Sequence, residues 1–377
     1  MLSDIKQLLA FYKHSRKDWK TKDKIIVIES DDWGSIRIPS LESYLNLQKE
    51  GFLVEKCSFL RYDNLETKED FNQLKLMFDR IYSLTGKKPI ITANYIMANP
   101  DFLKIEESNY QEYYRKYVWD HLNESDLLNG YVNSLKELTE SNYFYPQLHG
   151  LEHLNVPYWM EFLQGNSFET LHAFKQNVYG IPSNITSEKR DTFLASFDYK
   201  EDKEFQNYTK PAIEEAFIKF EEFFGYKSIS FISPNYTWSN NVEKVLNNNG
   251  VKYIQSSRSQ ILPKKYNSGK VIKNLGEKNE LNQIYLVRNC VFEPSDSINR
   301  EEHSNNCFKQ IEKAFLFNTP AIISSHRLNF MGGLNEENRT KNLDLLEKLL
   351  LKIIKRWPDV KFLNSVELGN LILNNKK

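Results

Sequence analysis

The strongest constraint on the fold is a repeated alternation of short apolar runs with longer amphipathic stretches. Ile25-Ile26-Val27-Ile28 opens the series, and Lys88 to Asn94, Phe144 to Leu148, Ser228 to Ser233, Val251 to Gln255, Ile284 to Arg288, Pro320 to Ser325 and Val360 to Leu363 continue it. Runs this short and this rich in Ile, Val and Phe read as buried strands. Between them lie helical patterns: a helix at 68–84, a mostly helical, tyrosine-rich stretch at 101–142, and a helix opened by Pro211 and closed by Gly225 with Ile213, Ala216, Phe217, Phe220 and Phe224 on one face. Others follow at 239–248, stopped by Gly250, and at 340–356, ending before Trp357-Pro358. Strands joined by helices of this length must run parallel, since the return path lies outside the sheet. Six to eight such units, with chemically active residues at successive strand ends, predict an α/β barrel rather than an open sheet.

At 377 residues the chain can bury a sizeable core, and one domain spanning 1–377 is expected. An amphipathic helix is predicted within 1–20, with Leu2, Ile5, Leu8, Leu9 and Tyr12 on one side, and possible insertions at 160–210 and 258–283. Fifty basic residues balance fifty acidic ones, so no charge field points to nucleic acid or to anionic lipid. Cys57, Cys290 and Cys307 are far apart, which speaks against a disulfide framework and a thiolate metal site. The start carries no signal-peptide pattern, and no apolar run approaches the ~20 residues that span a bilayer. The expectation is a cytoplasmic protein with no membrane span and no nucleic-acid partner; its oligomeric state is not legible.

Two segments carry chemistry. Ser30-Asp31-Asp32-Trp33-Gly34-Ser35 ends the first strand with adjacent carboxylates, and His149-Gly150-Leu151-Glu152-His153 follows a middle strand. Imidazoles four residues apart share a face if the segment makes a helical turn. One carboxylate with two histidines can hold a divalent metal with a position left open, and the other carboxylate is then available as a base. His326, at the end of the strand 320–325, is a candidate general acid. No phosphate-binding glycine loop, no GxSxG and no HExxH is present. Trp33, Tyr236 and Trp238 are open to two readings, sugar stacking or core packing.

The order of these motifs resembles the polysaccharide deacetylase superfamily: Asp-Asp after strand one, HxxxH after a middle strand, Phe231-Ile232-Ser233-Pro234-Asn235-Tyr236-Thr237-Trp238, and a late strand-end histidine. The resemblance spans about residues 24–330. It implies a distorted (β/α)7 barrel and hydrolytic removal of acetyl groups from N- or O-acetylated saccharides. It also implies a divalent metal, in most members zinc, although Asp/His2 sites accept cobalt, nickel or manganese. Asp31 then takes the place of the base, Asp32, His149 and His153 those of the metal ligands, and His326 that of the acid. Trp33, Pro234, Tyr236, Trp238 and Arg288 are the candidates for substrate binding. The chain departs from the pattern where Ile232 stands in place of the arginine two residues before Pro234, which leaves Arg37 and Arg288 as candidates to orient the base. Two alternatives remain: a glycoside hydrolase on the same barrel, and a non-catalytic glycan-binding protein with a vestigial site.

Overall fold

The structure, a computed structural model, describes residues 11–125 and 127–375. Seven parallel strands form its centre: β1 (Ile25–Trp33), β2 (Ile91–Ile96), β3 (Phe144–Gly150), β4 (Ser230–Ile232), β5 (Tyr253–Ser256), β6 (Ile284–Val287) and β7 (Ala321–His326). From β1 to β6 each pairs with the next in chain order, and β7 returns to pair with β1. The sheet curls closed through one stretch of chain: β6 pairs with β5, and three residues later Cys290–Val291 pairs with β7. Arg288 and Asn289 make the change of partner, the Arg288 N–H bonding to the Ser256 carbonyl and the Asn289 N–H to that of Ile322. This is the expected (β/α)7 barrel, distorted where one stave serves two neighbours for a few residues each.

All nine residues of β1 are buried. A strand covered on both faces reads as a continuous apolar run, which is why Ile25 to Ile28 is so legible. The outer helices are α1 (Lys68–Thr85), α2 (Leu128–Glu140), α3 (Lys210–Phe224), α4 (Asn240–Asn248), α5 (Arg300–Leu316) and α6 (Glu336–Arg356). A capping box between Thr67 and Asp70 starts α1, and Gly86 ends it at φ 68°. A last helix, α7 (Ser365–Asn374), packs against β1, β5 and β6, and its first residue donates from Ser365 Oγ to Glu29 on β1 at 2.7 Å.

Two regions differ from the sequence reading. The stretch 101–142 contains Arg115–Tyr117, which pairs antiparallel with Ala98–Pro100 between shorter helices. The segment 258–283 holds a hairpin, Ser259–Ile261 with Lys270–Ile272. The strand expected at 360–363 is present as Lys361–Phe362, paired parallel with Ile25 and Ile26 of β1. Residues 11–15 are helical, and the rest of the helix expected at 1–20 falls mainly outside the described residues. The segment 160–210 joins Ile105, Leu154 and Trp159 in a separate small core with Phe174, Tyr179 and Phe193, beside the C-terminal rim of the barrel.

Candidate active site

Adjacent residues of a regular strand point to opposite faces, so Asp31 and Asp32 would ordinarily be separated by the sheet. Here the register of β1 against β2 slips between Ser30 and Trp33, and Asp32 takes φ 73°. This bulge turns the second carboxylate round, and both line one cavity of about 320 Å³ at the strand ends. Gly34, at φ 81°, completes the turn; a Cβ there would meet the Ile96 carbonyl oxygen at 2.2 Å. Its N–H is received by the buried Glu66 at 3.0 Å.

Asp32, His149 and His153 converge. Asp32 Oδ1 is 3.5 Å from His149 Nε2 and 3.4 Å from His153 Nε2, and all three residues are buried. The histidines do not sit on a helical turn as expected. His149 is in β3, Gly150 has φ 137°, and a bend carries the chain to His153, leaving the rings 5.1 Å apart at 71°. Nδ1 of His149 donates to the Ile232 carbonyl at 2.9 Å, so Nε2 is the ring nitrogen that faces Asp32. Burial, against the pull of Asp32, depresses the His153 pKa to about 3 and keeps the ring neutral, the form that ligates metals. Asp32 Oδ1 is buried without any hydrogen-bond partner. An orphaned carboxylate oxygen between two imidazole nitrogens is costly unless a cation completes it. Among the described residues this is the one cluster of three such ligands. Arg37 Nη2 lies 3.4 Å from both Asp32 Oδ2 and His153 Nδ1.

Asp31 has a different surrounding. Arg288 grips it bidentately, Nη1 to Oδ2 and Nη2 to Oδ1, each at 2.6 Å, and Asn94 Nδ2 donates to Oδ1 at 2.8 Å. The same guanidinium reaches Glu29 Oε2 at 2.7 Å and Tyr236 Oη at 3.1 Å. Burial would raise the Asp31 pKa, but Arg288 outweighs it and holds the carboxylate down at about 2. Arg288 lies just past β6, where the chain switches partners, and is the guanidinium that meets Asp31.

His326 is the lateral neighbour of Asp31 in the β1–β7 register. Its Nδ1 donates to Glu293 Oε1 at 2.6 Å, and Asn329 Nδ2 donates to the other oxygen of Glu293 at 2.7 Å. Burial disfavours the charged ring, yet Glu293 overcomes it and lifts the pKa to about 10. The site therefore holds an ionised carboxylate and a protonated imidazole at neighbouring strand ends of one small cavity.

Of the residues expected to bind substrate, Tyr236 lines the cavity. Pro234 is buried in the turn beneath it. Arg288 is buried and spent on carboxylates. Trp33 and Trp238 are corrections: both are fully buried, Trp33 stacked on Phe71 with its N–H on Ser30, Trp238 donating to Glu243. Neither offers a face to a ligand, because both indoles are enclosed in the main hydrophobic core. Glu152, between the two histidines, is buried against Arg115 at 2.7 Å and does not touch His153. Sequence reasoning missed Asn94, Glu29 and Glu293. The first two lie within strands buried along their whole length, where a carboxylate and an amide are unusual, a signal that could have been read. Glu293 carries none, being brought to His326 only by the pairing of Cys290–Val291 with β7.

No family model and no curated protein sequence matches the chain. Among solved structures it is similar to proteins of Mycobacterium smegmatis and Pseudomonas aeruginosa PAO1, each described as a polysaccharide deacetylase. The first is 8% identical, with 94% of this chain and 92% of that one covered at a TM-score of 0.43. The second is 9% identical, with 93% and 91% covered at 0.45. A GH57 branching enzyme of Thermococcus kodakaraensis reaches the same score at 12% identity, covering 95% of this chain and 72% of that one. Scores at this level do not separate deacetylase from glycoside-hydrolase chemistry, which rests on the residues of the site.

Proposed function

We propose that this protein is a metal-dependent hydrolase that removes an acetyl group from an N- or O-acetylated saccharide, a divergent member of the polysaccharide deacetylase superfamily. The observation that carries this reading is the orphaned Asp32 Oδ1 facing His149 Nε2 and His153 Nε2, with Asp31 and His326 on the walls of the same cavity.

Asp32, His149 and His153 would hold a divalent cation, zinc being the first choice for one carboxylate and two imidazoles. Such an ion supplies Lewis-acid polarisation of the acyl carbonyl and an acidified water. Asp31, kept ionised and aimed by Arg288 and Asn94, takes the proton of the attacking water as its oxygen bonds to the acyl carbon. His326, kept protonated by Glu293, gives its proton to the departing nitrogen or oxygen as the carbon–heteroatom bond breaks. The two groups start in opposite protonation states, as a base and an acid must. A glycoside hydrolase would need carboxyl groups flanking the sugar from two sides. Here the second carboxylate belongs to the ligand cluster, and the acid is an imidazole.

Elemental analysis combined with acetate release across a panel of acetylated saccharides tests the reading. Stoichiometric metal with acetate release supports it; reducing-sugar release without acetate, or glycan binding by a metal-free protein, refutes it.

A further inference from the structure

A cavity of about 620 Å³, nearly twice the volume of the catalytic one, opens on the flank of the barrel and shares no lining residue with it. It is bounded by residues 36–39, residues 64–69, the helix Val118–Glu124 and the first turn of α2. Its volume lies well inside the roughly 300–1,000 Å³ of ligand pockets. Ile36, Pro39, Leu65 and Leu122 give it an apolar lining, and the groups that could carry charge are spent or neutral. Glu66 is buried, and its two oxygens take the Gly34 N–H, the Tyr131 hydroxyl and Arg327. Lys68 and Glu69 stand side by side and offset each other. The start of α1 is filled by its own Asp70 carboxylate, which accepts the Thr67 N–H at 2.9 Å and leaves no place for an anion. Burial and Lys116 push the His121 pKa below its ordinary 6.5, so near pH 7 the ring is neutral, one nitrogen donating and the other accepting. An occupant of this cavity is therefore uncharged, with an apolar body and a polar group for His121.

Two links run from this cavity to the ligand cluster. Glu66 holds the Gly34 N–H at 3.0 Å, and Gly34 completes the turn that aims Asp32. Ile36 lines the flank cavity, while Arg37, the next residue, lines the catalytic one and lies 3.4 Å from Asp32 Oδ2. Arg327 ties the two links together: it binds Glu66 with Nη1 and Asp63 with Nη2 at 2.7 Å, and Asp63 faces Arg37 at 3.9 Å. We propose that the flank cavity is a regulatory site for an uncharged, largely apolar small molecule, whose binding raises the affinity of Asp32, His149 and His153 for their cation. The open cavity and the converged cluster belong to the same conformation, so a ligand that fits the one stabilises the other. The 34–37 segment between them has little slack: a Cβ on Gly34 would meet the Ile96 carbonyl oxygen, and the Ile36 N–H is fixed on Asn99 at 2.7 Å. This adds regulation to the deacetylase reading and rests only on its metal cluster.

The test uses the full chain and two probes, N-phenylnaphthylamine and its sulfonate, anilinonaphthalenesulfonate, which share an aromatic body and differ by one charge. Fluorescence titration should show one equivalent of the neutral probe bound about tenfold or more tightly than the sulfonate, because the cavity offers the anion no partner. Gly130→Trp fills the cavity, since a side chain there meets only that of Lys68, at 3.3 Å, and should abolish this binding. His121→Trp, on the half-buried wall, reads the same should the first variant misfold. Zinc is then titrated against a chelating dye with and without saturating neutral probe. The zinc Kd should fall by about fivefold or more, and by linkage zinc should tighten the probe by the same factor. No binding of the neutral probe, equal binding of the two probes, or binding unchanged in the variants overturns the site. A zinc Kd that stays put or rises overturns its regulatory role. Failure to bind zinc at all refutes the metal cluster and the regulation together. Zinc binding and coupling without acetate release refute the deacetylase reading alone and uphold the regulatory site.

Discussion

Asp31 and Asp32 are neighbours in the chain and opposites in the structure. Asp31 is saturated with donors: two from Arg288 and one from Asn94. Asp32 keeps one oxygen with no donor, aimed between two imidazoles. Both are buried, so burial does not distinguish them; the identity of the nearest positive group does. A carboxylate tied to a fixed guanidinium stays ionised and oriented without any ligand. One facing two histidine nitrogens, with an oxygen that no donor reaches, is incomplete until a cation arrives. A single bulged residue thus gives one strand end two carboxylates in different surroundings.

Replacing His149 with Ala should have the largest effect on activity: bound metal falls to background and acetate release goes with it, read by elemental analysis and turnover on one preparation. Asp31→Asn sharpens the contrast, because metal should stay bound while kcat drops by ~10²–10⁴-fold, the usual worth of a general base. Retained turnover in that variant would sink the role given to Asp31. Arg288→Met should destabilise the fold by about 3–5 kcal/mol in chemical denaturation, since Glu29 and Asp31 are left buried without their counter-charge. Arg288→Lys keeps the charge and loses the two-point grip, and should recover stability more than activity.

The smallest expected effect is one of pH. The folded His326 pKa, about 10, lies above its ordinary value of 6.5, so its proton and the stabilisation linked to it are fully present below 6.5 and lost as the pH rises toward 10. Glu293→Gln removes the cause of the rise. The alkaline limb of kcat should then move to lower pH, with the acid limb in place; an unmoved alkaline limb would detach Glu293 from the acid.

Much of this was legible beforehand for a physical reason. Strands buried on both faces must be apolar throughout, so β1 and β7 announced themselves, and the residues just past their ends faced the rim where barrels keep their chemistry. Asp31, Asp32, His149, His153 and Tyr236 all come together there. The local geometry was less legible. The HxxxH spacing suggested a helical turn, but Gly150 at φ 137° permits a bend that reaches the same convergence by another path. Trp33 and Trp238 looked like sugar platforms because aromatic residues near a motif have two uses, and only packing decides between them.

The amino-acid order alone determined the alternation of strands and helices, the barrel it implies, and which carboxylates and imidazoles stand at strand ends, since each depends on periodicity within a few residues. The tertiary structure decided what surrounds each of them. Arg288 is 257 residues from Asp31, and Glu293 is 33 from His326. Such pairs exist only because β6 hands over from β5 to β7 at Arg288, closing the barrel and setting the charge that each of these groups meets. The Asp-Asp pair is two ordinary carboxylates in the sequence and two different reagents in the fold.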